Sequence, residues 1–233
     1  MKETTPHIAL VTGASRGIGA AIALELAHQG FVVIGTATTD EGAAKISHTL
    51  SAYANCRGVN LNVNDAAAVD ALVEQITTQH KALHVLVNNA GITKDRMFLK
   101  MTPDDWHAVI DTNLNSMFNV TKQVVPDMVE RGWGRIIQIS SVNGEKGQSG
   151  QTNYSAAKAG DIGFVKALAQ EGARAGITVN SITPGYIATE MVKAIDPAVV
   201  EKSILPHIPV GRLGKPEEIA RCVVFHSLSK RSN

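Results

Sequence analysis

Short apolar runs alternate along this chain with longer stretches of helical period. Ile8 to Thr12 reads as a buried strand, and a glycine-rich turn and a helix over Ala20 to Gln29 follow it. Gly30 closes that helix in the manner of a C-terminal glycine. Phe31–Gly35, Gly58–Val63, Leu83–Val87, Arg135–Ser140 and Thr178–Thr183 read as five more strands. Helical pattern fills the spaces between them: Asp40 to Tyr53, a helix capped by Asp65 and running through Thr77, a long one from Asp104 through Met117 toward Glu130, and another from Asn153 to Ala175. The strands are apolar at nearly every position, as strands are when helices cover both faces of their sheet. Strands alternating with helices of this length predict right-handed βαβ units, and so an α/β fold with a doubly wound parallel sheet of Rossmann type. No repeat, linker or low-complexity segment divides the chain, so residues 1–233 are expected to form a single domain.

Composition narrows the function classes. At 233 residues, 44% hydrophobic and 18% charged, the chain can bury a substantial core. Its formal net charge of +1, with no long basic run, argues against nucleic acid and anionic membrane as partners. Cys56 and Cys222 are far apart, and the histidines show no HExxH-type spacing, so no metal site is expected. The N-terminus has no signal-like apolar stretch and no run is long enough to span a bilayer, which fits a cytoplasmic enzyme.

Two features carry chemistry. The first is Thr12-Gly13-Ala14-Ser15-Arg16-Gly17-Ile18-Gly19, between the first strand and the first helix. Glycines there let the backbone turn tightly and approach a pyrophosphate, which the helix N-terminus attracts. The spacing is G-x-x-x-G-x-G rather than G-x-G-x-x-G. The second strand ends at Gly35-Thr36-Ala37-Thr38 with no carboxylate until Asp40, past the position that binds a ribose 2′-hydroxyl. Arg16 can clasp a 2′-phosphate and Thr38 can add a hydroxyl, so NADPH is expected over NADH. The second feature is Tyr154 and Lys158, four residues apart and so on one helix face. An ammonium beside a phenol favours the phenolate, which makes the phenol usable as an acid near neutral pH. Alone, that pair is as much at home on a solvated helix face. A nucleotide turn in the same chain makes it a candidate for redox chemistry on a carbonyl.

These residues together resemble the short-chain dehydrogenase/reductase family over about Ile8 to Ala220. Besides the glycine turn, Asn88-Asn89-Ala90-Gly91 resembles its fourth-strand motif and Pro184-Gly185 its late cofactor loop. Asn113, Ser141, Tyr154 and Lys158 match its catalytic tetrad. The resemblance implies that Tyr154 protonates the nascent alkoxide, Ser141 polarises the carbonyl, Lys158 holds the nicotinamide ribose, and Asn113 anchors a water linking Lys158 to solvent. It implies cofactor contacts from Gly13, Ser15, Arg16, Gly17, Ile18, Gly19 and Thr38 on one side. Asn62 and Val63 would flank the adenine, with Asn89, Ala90 and Gly91 beside the adenosine. Tyr154, Lys158, Pro184, Gly185, Ile187 and Thr189 would sit at the nicotinamide end.

Within the family, two branches that reduce 3-oxoacyl thioesters are the most similar. Ile34 to Thr38 looks like reductases acting on acyl carrier protein in fatty acid biosynthesis. Ser140 to Gln148, Gly150 to Tyr154, Gly132 to Arg135 and Gly185 to Thr189 look like reductases acting on acetoacetyl-CoA in polyhydroxybutyrate biosynthesis. The carrier-protein branch often places arginines at the positions of Gly132 and Ala175; Arg131 and Arg174 sit beside them. The segments near the substrate carry more weight, so a CoA ester is expected, with Gln148, Gln151 and Tyr186 around the short acyl group. Reduction of the carrier-protein ester in fatty acid synthesis is the first alternative; a reductase or dehydrogenase of another small ketone or alcohol, and an inactive NADP-binding protein, are the others. The family is tetrameric and continues past the position of Phe225 with a loop, a last parallel strand and a Gly-Gly turn. This sequence is atypical from about residue 226, reading His226 to Asn233. The expectation is a sheet without its last strand and a tetramer weakened toward a dimer. A neighbouring frame of that tail can encode Phe-Ile-Ala-Ser-Ala-Asn-Ala-Ala, which points to a frameshift that DNA sequencing would test.

Overall fold

Each predicted apolar run forms a strand, and the six strands share one sheet. The computed structural model describes residues 6–193 and 196–228. In chain order the elements are β1 (Ile8–Val11), α1 (Gly17–His28), β2 (Val32–Ala37), α2 (Asp40–Thr49), β3 (Arg57–Asn60), α3 (Ala66–His80) and β4 (Val85–Asn88). There follow α4 (Pro103–Ile110), α5 (Ser116–Arg131), β5 (Gly134–Ile139), α6 (Asn143–Lys146), α7 (Thr152–Gly172) and β6 (Ile177–Ile182). Two short helical pieces, α8 (Glu190–Lys193) and α9 (Pro197–Val199), precede α10 (Pro216–Leu228). The sheet order is β3-β2-β1-β4-β5-β6, all parallel. This is the Rossmann-type doubly wound arrangement. The winding reverses between β1 and β4, and ligands of such sheets bind at the strand C-termini beside that reversal.

The all-apolar strands follow from a core on each face. Ala9, Val11, Val33, Val87 and Ile137 point to one side, against Ile22 and Leu26 of α1 and Val223 of α10. Leu10, Ile34, Leu86 and Ile136 point to the other, against Leu72 and Ile76 of α3, Val120 and Val124 of α5 and Val165 of α7. Leu10 lies opposite both Ile34 and Leu86 in register. The cap read at Asp65 is present, its carboxylate accepting the Ala68 N–H at 3.0 Å.

Several element ends differ from the sequence reading by a few residues. α2 stops at Thr49 rather than Tyr53, because the buried Leu50 caps it and the chain turns to set Tyr53 against His28, 3.3 Å from hydroxyl to Nδ1. β3 ends at Asn60, short of Val63. The long helix predicted from Asp104 is broken into α4 and α5 by one π-helical turn, Asp111–Asn115. Among the described residues the sheet has six strands and β6 pairs with β5 alone. His226, Ser227 and Leu228 lie within α10, and the rest of the atypical tail, Ser229 to Asn233, falls outside the described residues.

A histidine cluster closes the opposite end of the sheet. The Ile8 N–H donates to His84 Nδ1 at 3.0 Å, so that nitrogen must be unprotonated. His7 stacks on His84 at 4.6 Å between ring centroids and Trp133 lies 4.8 Å from His7, with the Arg135 guanidinium 4.3 Å above the indole. Burial, then the charges of His7 and Arg131, push His84 down to about 4, against an opposing pull from Asp127. A histidine lowered in the folded state stabilises fully above its unfolded value near 6.5, and that contribution is lost as pH falls from there through about 4. With the ring only half-buried, solvent screening leaves on the order of 1 kcal/mol. Urea melts between pH 7 and pH 4 are expected to show this loss, and His84→Gln is expected to flatten it.

Candidate active site

The glycine turn is built by close approach. Gly13 has φ +66°, and a Cβ there would stand 2.9 Å from the Ala90 Cα. A Cβ on Gly19 would stand 2.2 Å from the Gly13 carbonyl oxygen, so no other residue fits. The buried Thr12 joins the turn to the loop after β4: its Oγ1 accepts the N–H groups of Asn89 and Ala90, each at 3.0 Å. Asn89 Nδ2 answers by donating to the carbonyls of Thr12 and Gly13, both at 3.0 Å. Asn89 therefore holds the turn's shape with its amide. α1 starts directly behind the turn with Arg16 at its cap position, and no side chain caps its first N–H groups. Those orphan donors and the helix dipole face the space where an anion would sit.

That space is a cleft of about 760 Å³ at the C-terminal edge of the sheet. Every residue assigned by sequence to the cofactor lines it, from Gly13, Ser15, Arg16 and Thr38, through Asn62, Val63 and Asn89, to Pro184, Gly185, Ile187 and Thr189. Arg16 and Thr38 are exposed at its mouth. Asp40 stands outside the lining, its carboxylate accepting from Asn60 Nδ2 at 2.8 Å. Glu190 and Thr112 also line the cleft; neither belongs to a motif that would have marked it in the sequence.

Ser141, Tyr154 and Lys158 wall the same cleft. Ser141 follows β5 and its Oγ accepts the Asn143 N–H at 3.1 Å. Tyr154 and Lys158 lie one turn apart on α7, with the ammonium 5.9 Å from the tyrosine ring centroid. Lys158 is buried. Its Nζ donates to the Ile139 carbonyl at 2.9 Å and to Asp161 Oδ2 at 3.1 Å. Burial raises the Asp161 carboxyl, with Lys158 and a hydrogen bond from Gln138 pulling it back down. Asn113 lies outside the lining, buried in the π-helical turn. Its Oδ1 accepts the Ile92 N–H at 2.8 Å and its Nδ2 donates to the Ile92 carbonyl at 2.9 Å. Its side chain thus clamps the loop after β4. A π-turn at such a place is a frequent mark of a functional site.

Gln148, Gln151 and Tyr186 also lie outside the lining and gather around α6. Gln151 is committed at both ends of its amide, accepting from Asn143 Nδ2 and donating to Asp95 Oδ2, each at 2.9 Å. Lys146 donates to Gln148 Oε1 at 3.4 Å and sits 5.9 Å from the Tyr186 ring. Among the described residues there is no cluster of three or more metal-type ligands, and no helix is long and apolar enough to cross a membrane.

A family profile described as short chain dehydrogenase matches residues 7–199. The chain belongs to the short chain dehydrogenase family. It is an oxidoreductase acting on a carbonyl or hydroxyl group with a nicotinamide cofactor. It is similar to the acetoacetyl-CoA reductase of Shinella zoogloeoides, 56% identical over 222 residues covering 94% of this chain and 90% of that one. It is 55% identical over 218 residues to the acetoacetyl-CoA reductase of Paracoccus denitrificans, covering 94% and 89% of the two chains. It is 50% identical over 218 residues to the 3-oxoacyl-[acyl-carrier-protein] reductase of Escherichia coli K12, covering 94% and 88%.

Proposed function

We propose that the protein reduces 3-oxoacyl thioesters with NADPH, converting acetoacetyl-CoA to 3-hydroxybutyryl-CoA. One observation carries this reading: Tyr154 and Lys158 wall the same cleft as a glycine turn that leaves the first N–H groups of α1 uncapped. The cleft suits a dinucleotide, since the site of the pyrophosphate is one that a Cβ at Gly13 or Gly19 would distort. The absence of a carboxylate from the lining beside Thr38, with Asp40 turned to Asn60, supports a 2′-phosphate there with Arg16 as its partner.

When bound, the nicotinamide supplies the hydride. The Tyr154 hydroxyl donates its proton to the substrate oxygen as negative charge develops there. The Ser141 hydroxyl hydrogen-bonds the same oxygen and polarises the carbonyl. Lys158 holds the ribose and keeps a positive charge beside Tyr154. Asn113 anchors a water behind Lys158 and, through its clamp on Ile92, keeps the loop after β4 in place. Gln148, Gln151 and Tyr186 border the acyl group around α6, where Gln151 is already oriented by Asn143 and Asp95.

The CoA ester is favoured over the carrier protein by Arg131 as well as by identity. Its guanidinium is turned inward, paired with Asp127 and donating to the Leu83 carbonyl at 2.7 Å, so it is poorly placed to meet an acidic carrier protein. The second reading, carrier-protein reduction, is favoured by the similarity to the Escherichia coli enzyme. NADPH oxidation followed with both thioesters side by side is expected to run faster on acetoacetyl-CoA. Faster turnover of the carrier-protein ester would move the enzyme to fatty acid synthesis. A homo-oligomer belongs to the same reading, supported by Phe118 of α5, 55% exposed. So does a cytoplasmic setting, supported by the free thiols Cys56 and Cys222.

A further inference from the structure

Among the described residues Asp161 is the sole carboxylate in the buried core, and its partner is Lys158. It stands one turn beyond Lys158 on α7, and its side chain is inaccessible to solvent. Gln138 of β5 donates to the same Oδ2 at 2.9 Å, while Oδ1 has no hydrogen-bond partner. Gln138 is itself fixed in register between Asn88 and Ser181, and Asn88 donates to Thr121 at 3.1 Å. A row of buried polar side chains thus runs beneath the active-site wall and ends on the lysine.

Stability does not explain this row. A buried ion pair is often no more stable than well-packed apolar residues, and a carboxylate oxygen left unpaired makes it worse. The explanation lies in what the pair does to Lys158. An ammonium has three N–H donors. Those given to the Ile139 carbonyl and to Asp161 leave one for the cleft, and they set where Nζ sits. The carboxylate also places a negative charge 3.1 Å from the ammonium, which itself acts on Tyr154 from 5.9 Å. Other charged groups on elements packed against α7 are Asp104, Asp105, His107 and Asp111 on the α4 side, Glu145 and Lys146 on α6, and Arg174 beyond its end; Arg135 lies on β5. The charge felt by Asp161 is that of Lys158.

We propose that Asp161, held by Gln138, is a positioning residue that fixes the Lys158 ammonium against the sheet and limits how much of its charge reaches Tyr154. The proposal rests on the reading of Tyr154 as the acid of the reaction, but not on the identity of the substrate.

The test needs no substrate. The chain has 3 tyrosines, and the ultraviolet phenolate signal of the protein minus that of Tyr154→Phe isolates Tyr154. Removing the negative charge beside the ammonium leaves more of its positive charge unopposed at the Tyr154 ring, 5.9 Å away, which favours the phenolate. In Asp161→Asn, nearly the same shape, the Tyr154 phenolate is expected to appear at a lower pH than in the wild type. The alkaline fall of kcat/KM for ketone reduction is expected to move the same way, and Gln138→Leu to give a smaller shift of the same sign. A purely structural role would lower the melting temperature and leave the phenolate titration in place. An unmoved titration in folded Asp161→Asn, or in Gln138→Leu should the first variant not fold, would overturn the proposal. So would failure of both variants to fold, which would make Asp161 a core residue only. Absence of turnover by the wild type would count against the thioester reading and leave the titration readable.

Discussion

Tyr154→Phe is expected to lower kcat for acetoacetyl-CoA by about three orders of magnitude, in the middle of the range for loss of a general acid. Nucleotide affinity is expected to stay within a factor of about two. The substitution removes one oxygen and nothing else that the fold uses. The Tyr154 N–H is held by Asn153 Oδ1 at 2.8 Å, and Asn153 in turn donates to the Lys94 and Asp105 carbonyls, so the start of α7 stays pinned to the loop after β4. The phenyl ring keeps its place 5.9 Å from the Lys158 ammonium, whose own bonds run to Ile139 and Asp161. In the proposed mechanism, what is lost is the proton that neutralises the new alkoxide, an interaction made only as the carbonyl is reduced. Loss on that scale belongs in kcat and kcat/KM together. Steady-state rates, with NADPH binding followed by nucleotide fluorescence, separate the two effects. A parallel collapse of turnover and NADPH affinity would make Tyr154 structural.

The sheet was legible in the sequence because each strand is buried on both faces, so its apolar run stands out without help from its neighbours. Element ends were less so where tertiary contacts decided them. Nothing local says that α2 ends at Thr49, since the stop is made by Leu50 entering the core and Tyr53 crossing to His28, 25 residues away. The π-turn at Asp111–Asn115 was hidden for a similar reason, because it serves a clamp on Ile92, 21 residues earlier. The glycine turn, Ser141, Tyr154 and Lys158 could be read as motifs because backbone approach and acid chemistry require particular residue types. Their supports could not. Thr12 tying the turn to Ala90, Gln151 suspended between Asn143 and Asp95, and Gln138 beneath Asp161 are contacts between distant segments that many residue types can make. Asp161 was not read from the sequence either, although a carboxylate three residues after a helical lysine is spaced to pair with it. Only its complete burial sets it apart from a solvated one.

Arg16→Ala is expected to weaken NADPH binding by about 10- to 100-fold and to leave NADH nearly unchanged, as follows from losing a charge-assisted bond of about 1.5 to 3 kcal/mol. The arginine is exposed at the cap of α1 and makes no capping bond, so its removal leaves the helix and the turn intact. Gly13 and Gly19 still shape the turn that carries the proposed pyrophosphate site, which both nucleotides would share. The difference between them is the 2′-phosphate, and beside the end of β2 the cleft offers it Arg16 and Thr38 but no acid, because Asp40 is taken by Asn60. The same geometry denies NADH the carboxylate that would bind its 2′-hydroxyl, so the variant loses one preference without gaining the other. Because Arg16 is exposed, its attraction is screened by salt. The NADPH affinity of the wild type is therefore expected to fall more steeply between 50 mM and 500 mM salt than that of the variant. Fluorescence titrations with both nucleotides at the two salt levels measure this. An equal loss for NADH and NADPH would place Arg16 on the shared pyrophosphate and leave the NADPH preference without its residue.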